Sequence, residues 1–149
     1  MRPVIITANW KMNTTPADAG PLAADIAKAT DVANVTRIIC PPYTNIRAVK
    51  DAVEGTAVLV GAQNVHNAPK GAYTGEVSGP MLEKLGCTYA VVGHSERRTY
   101  HAESDEIVNS KVAAAYRHHL FGDATLADLP DDPRFVFCAT NLGSGALVR

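Results

Sequence analysis

The chain has 149 residues, 46% hydrophobic and 19% charged, with a formal net charge of -1. This is enough for one compact domain with a real core. So small a charge excludes nucleic-acid or membrane-surface binding driven by bulk electrostatics, and no stretch approaches the roughly 20 apolar residues of a membrane helix. The apolar run Val4–Thr7 is too short for a signal peptide. Three scattered cysteines, Cys40, Cys87 and Cys138, suit a reducing, cytoplasmic compartment better than a disulfide framework. Without a secretory signal, the glycosylation patterns at Asn13 and Asn34 read as chance.

In chain order, short β-branched runs fall at Val4–Thr7, Val35–Cys40, Ala57–Gly61, Tyr89–Gly93 and Phe135–Ala139. They are nearly continuous rather than alternating, as expected of strands buried on both faces. Helical stripes lie between several of them: Leu22, Ile26 and Ala29; Ile46, Val49 and Val53; then Ile107, Val108, Val112 and Ala115. The last stripe follows an acidic start, Glu103 to Glu106, which suits a helix N-terminus. Strand alternating with helix predicts an α/β fold with a parallel sheet. Two stretches break the rhythm. Residues 64–78 form a long Gly- and Pro-rich segment, and a loop of that length is usually functional or an interface. After Arg117 the chain becomes acidic and turn-rich.

"ANWKMN" ends the first strand with Asn9 and Lys11 in alternation around Trp10. Period two puts both on one face. In a closed parallel barrel that face is the interior, at the carboxyl rim. The residues alone leave two readings open, a solvated strand end and an anion site. "VVGHSERR" places His94 after an apolar run, where an imidazole exchanges protons near neutral pH. Ser95 is positioned to cap the turn that follows. Glu96 needs a cation if buried, and Arg97 and Arg98 are the nearest in sequence. A lone histidine is more often structural than catalytic. His94-Ser95-Glu96 also matches half of a zinc-deaminase pattern, but the Pro-Cys-x-x-Cys half is absent. The adjacent pair His118-His119 is a poor metal pair on a helix.

Taken together, "ANWKMN", "GAQN" (61–64), "GAYTGEVS" (71–78) and "VVGHSERR" resemble the triosephosphate isomerase family, in order and at family spacing. The segment "ESDEIVNSKVAAAYRH" (103–118) fits the helix after that family's fourth strand. The resemblance implies a partial (β/α)8 TIM barrel of about four β/α units. It also implies a homodimer and interconversion of dihydroxyacetone phosphate and glyceraldehyde 3-phosphate, a step of glycolysis and gluconeogenesis, with no cofactor and no metal. By matching position, Lys11 would steady the phosphate and enediolate, and Asn9 would bond a substrate oxygen. His94 would be the electrophile, a neutral imidazole as is known for this family, and Glu96 would order Lys11. Thr74 would reach into a neighbouring subunit, self-association running through residues 64–78. Arg97 and Arg98 would be structural and interface ion-pair partners.

The family's barrel takes about 250 residues, and its fifth strand, glutamate base, lid and late phosphate loops have no match here. The expected organisation is residues 1–118 as the first half of the barrel and 119–149 as an unrelated tail, with a strand near 134–140 able to add to the sheet. The tail resembles an internal segment of patatin-like phospholipases. It carries no nucleophile elbow, because position 142 in "NLGSG" is Leu. The chain is therefore expected to be inactive alone. The alternative is a non-catalytic half-barrel or chimeric fragment that only binds phosphate or associates with itself.

Overall fold

The computed structural model describes residues 4–120. Four parallel strands lie in sequence order: β1 (Val4–Asn9), β2 (Val35–Cys40), β3 (Val58–Ala62) and β4 (Tyr89–Ala90). Between and after them run α1 (Pro16–Ala29), α2 (Ile46–Ala52), α3 (Gly79–Lys84), α4 (Ser95–Tyr100) and α5 (Asp105–Arg117). The register is continuous from Val4↔Val35 to Asn9↔Cys40, then from Arg37↔Val58 to Ile39↔Val60, then Gly61↔Tyr89 and Ala62↔Ala90. The sheet curls into a half-barrel. Its inner face carries Ile38, Cys40 and Val91, with Ile5, Leu59 and Tyr89 packed beside them. The outer face and the helices form the main core, around Ile39, Ile46, Val49, Val60, Leu82 and Val108.

The expected strands hold in β2 and nearly so in β3. β1 runs two residues past the apolar run and ends at Asn9, at the strand end where the motif put it. β4 is only two residues long. Val91 still donates to the Ala62 carbonyl at 2.8 Å. Gly93 then takes φ +68, a left-handed turn suited to glycine, and α4 starts at Ser95. The short helices α3 and α4, of six residues each, leave too few positions to show a stripe in the sequence.

The predicted face of α1 needs correction. Its buried residues are Ala19, Ala23 and Ala27, while Leu22 is exposed. Alanines four apart share one face, and their small side chains let α1 lie close on the sheet and α2. Likewise α5 buries Val108, Lys111, Ala114 and Ala115, with Ile107 exposed. At the far edge, the Ala90 amide donates to the Leu120 carbonyl at 3.0 Å, so the chain returns beside β4 after α5. The expected strand near 134–140, and all but the first two residues of the 119–149 tail, lie outside the described residues. Among the described residues no helix is long and apolar enough to cross a membrane.

Cys40 and Cys87 are buried, free thiols. Burial pushes the Cys40 thiol up to about 12 and that of Cys87 up to about 11. Cys40 also fixes the spacing of β2 and β3. A Cβ on Gly61 would lie 2.7 Å from Cys40 Sγ and 3.3 Å from Tyr89 Cβ. Gly61→Ala is therefore expected to destabilise the sheet by about 1–3 kcal/mol through overpacking. A urea midpoint unchanged from the parent would contradict this contact.

Candidate active site

The carboxyl ends of β1, β3 and β4 bring together the residues singled out by their motifs. Asn9 closes β1 and folds back, its Oδ1 accepting from the Lys11 amide at 3.0 Å. Lys11 has φ 54, so strand alternation ends before it. Its convergence with Asn9 comes from this local bond rather than from period two. Gln63, just past β3, clamps the same turn: its Nε2 donates to the Lys11 and Cys40 carbonyls, both at 2.9 Å. The Trp10 amide donates to Cys40 O at 3.1 Å, and buried Asn45 donates to Thr14 O at 2.9 Å. The segment after β1 is thus held at three points by neutral donors.

Lys11 Nζ meets Glu96 Oε1 at 2.5 Å. Glu96 is therefore paired with a lysine 85 residues away, not with the adjacent Arg97 or Arg98. The hydrogen bond from Lys11 holds the Glu96 carboxyl below the usual carboxylate range. Both side chains are partly open to solvent, so the pair adds little to stability, about 0–1 kcal/mol. Its effect is to fix where the ammonium sits.

His94, not Ser95, is the N-cap of α4. Its Nδ1 accepts from the Glu96 amide at 3.2 Å, the position a serine or aspartate oxygen normally fills. Accepting that N–H requires a bare Nδ1, which leaves the ring proton on Nε2. His94 is 4% exposed, and its Nε2 has no hydrogen-bond partner among the described residues. A buried, unused donor is a group that can polarise a carbonyl and stabilise the oxyanion that develops from it.

Behind the rim lies a charged cluster that motif reading missed. Glu103 Oε1 accepts from Arg97 Nε and from Lys111 Nζ, both at 2.5 Å. Lys111 Nζ also donates to Asn64 Oδ1 at 2.8 Å, and the Tyr43 hydroxyl donates to Asn64 O at 2.7 Å. Burial of the Glu103 carboxyl pushes its pKa up, but its bonds to Lys111 and Arg97 outweigh this and hold it below the ordinary value. Burial also raises the Tyr43 phenol well above its usual range. The signals available in the sequence were the buried-side position of Lys111 on α5 and the asparagine of "GAQN". Arg98 instead pairs with Asp105 at 2.7 Å and donates to Gly93 O at 3.3 Å. Thr74 is exposed within the long segment after β3 and approaches none of these groups by a hydrogen bond. His118 faces Glu83 at 3.6 Å. No group of three metal-ligating side chains is gathered among the described residues.

A half-barrel with lysine, asparagine and imidazole at the carboxyl ends of its strands belongs to the class of parallel α/β barrels with rim-borne sites. The family profile described as triosephosphate isomerase matches residues 4–121. The triosephosphate isomerase of Moorella thermoacetica is 48% identical over 120 residues, covering 80% of this chain and 48% of that protein. That of Saccharopolyspora erythraea is 50% identical over 122 residues, covering 78% and 47%. The crystal structure of the Bartonella henselae triosephosphate isomerase superposes with a TM-score of 0.72 at 39% identity, over 80% of this chain and 49% of that one. The chain belongs to the triosephosphate isomerase family. It spans about half the length of the curated relatives it matches.

Glu103, like Glu96, makes this region sensitive to acid. A carboxyl held below its unfolded value of about 4.3 contributes stability that is complete above that pH. The contribution is lost as pH falls through the folded-state value. Glu103→Gln leaves Lys111 and Arg97 without their counter-charge, at an expected cost of about 3–5 kcal/mol near neutrality. Urea titrations should show the parent losing stability below about pH 4.3 and the variant losing much less there. An equal acid limb in both would place the acid sensitivity elsewhere.

Proposed function

We propose that residues 4–120 form the electrophile half of a triose phosphate isomerising site, binding the substrate's phosphate and oxygens but lacking the base. The observation that carries this reading is the buried, unpartnered Nε2 of His94, on a ring capping the helix whose Glu96 holds the Lys11 ammonium. Isomerisation moves a proton between adjacent carbons through an enediolate. A base removes the proton on one carbon while a donor polarises the neighbouring carbonyl. In this proposal His94 Nε2–H donates to the carbonyl oxygen, Lys11 balances the phosphate and enediolate charge, and Asn9 bonds a substrate oxygen. Glu96 is a positioning residue for Lys11.

Among the described residues the base is the part without a candidate. Glu96 at the rim and Glu103 behind it are each bound to cations. Glu106 is exposed on α5 and is the last glutamate of these 149 residues. A missing general base typically costs about 10²–10⁴ in rate, and missing phosphate contacts remove further transition-state stabilisation. The proposal therefore includes binding without turnover by this polypeptide alone. It also includes a cytoplasmic homodimer made through residues 64–78, and the exposure of Thr74 supports that part.

The test is two measurements on the 149-residue chain. Titration with 2-phosphoglycolate, a carboxylate mimic of the enediolate, should give saturable binding that weakens at least tenfold in Lys11→Met. A coupled isomerase assay should give no turnover above background. Binding unaffected by Lys11→Met would remove Lys11 from the site. Turnover within tenfold of a complete relative would show that a base is present.

A further inference from the structure

At the opposite end of β2 from the Lys11 rim, Arg37 shares a face with Ile39 and turns toward the helices rather than the barrel interior. It is 8% exposed. Its Nη1 donates to the Thr30 carbonyl, and its Nη2 pairs with Asp31 Oδ1 at 3.2 Å. Its Nε donor is buried with no partner among the described residues. Leaving such a donor unused is costly, more so on a charged group.

Arg37 is among the residues lining a half-open cavity of about 470 Å³ between α1 and the α2–β3 connection. That is far more than the roughly 30 Å³ share of one water and falls in the range of small-molecule sites. Its lining includes four alanines, Ala24, Ala27, Ala52 and Ala57. Lys28 and Arg37 supply two cations against the single carboxylate of Asp31, whose side chain is largely solvated. The lining is therefore net positive, with an apolar surface. The hydroxyl of Thr56, also in the lining, is already spent on the Val53 carbonyl at 2.8 Å. A guanidinium edge matches the two oxygens of a carboxylate, and the alanine-rich lining suits a hydrocarbon body rather than a fully polar anion.

We propose that this cavity binds a small monocarboxylate with a short hydrocarbon body, its carboxylate on Arg37 and its chain against the alanine methyls. The experiment is an amide-resolved NMR titration of the 149-residue chain with hexanoate, acetate and inorganic phosphate as probes. Hexanoate should shift the amides of Ala27, Gly55 and Thr56 saturably, and acetate should bind there at least tenfold more weakly. Arg37→Met removes the charge and Ala24→Leu fills the space. Each should abolish saturation at those amides while the rest of the spectrum keeps its dispersion. Should Arg37→Met fail to fold, Ala24→Leu and the hexanoate-to-acetate ratio still decide. Phosphate saturating the same amides as tightly as hexanoate, equal affinity for hexanoate and acetate, or hexanoate binding unchanged in a folded variant would each overturn the proposal.

Discussion

The site depends on one carboxylate that never reaches it. Glu103 joins Arg97 of α4 to Lys111 of α5, and Lys111 reaches on to Asn64 beyond β3. This fixes α4 against the sheet. α4 in turn carries Glu96, which holds the Lys11 ammonium, and its first turn donates to His94 Nδ1. Lys11 is set from the other side by Gln63 and Asn9. The rim groups are thus ordered by two routes, one ionic and buried, one neutral and built from backbone carbonyls. A buried ion pair is a poor source of stability but a strong constraint on geometry, because no alternative partner satisfies it inside the core.

The sheet imposes the second constraint. Parallel strands in sequence order, each followed by helical chain on the outer face, bring every strand's carboxyl end to one rim. That rim is where Asn9, Gln63 and His94 lie. The same curl leaves β1 at an edge, with Val4 and Ile6 more than half exposed. At the other edge the chain is already paired at Leu120. The family's barrel buries both edges by closure, which is consistent with a chain that matches about half the length of its relatives.

Much of this was readable in the residues. Continuous β-branched runs located β2 and β3, and four short motifs carried the family and the groups at the rim. The failures have physical causes. Alanine is too weakly apolar to mark a buried stripe, so the face of α1 was assigned to Leu22 rather than Ala19, Ala23 and Ala27. β4 is cut short by the turn at Gly93, although the apolar run continues through Val92. Sequence neighbours misled the choice of partner for Glu96. Side chains one and two apart on a helix point in different directions, so Arg97 and Arg98 turn to Glu103 and Asp105. The pairing of Glu103 with Lys111 crosses the N-cap of α5 at Ser104, a spacing with no helical signature.

His94 is held by the Glu96 amide with its proton on Nε2. Nitrogen-15 NMR of the histidine rings in the 149-residue chain reads this directly. The account predicts one protonated nitrogen at Nε2 and one bare nitrogen at Nδ1 for His94, in a single fixed tautomer near neutral pH. A proton on Nδ1, or a signal averaged between the two tautomers, would contradict it.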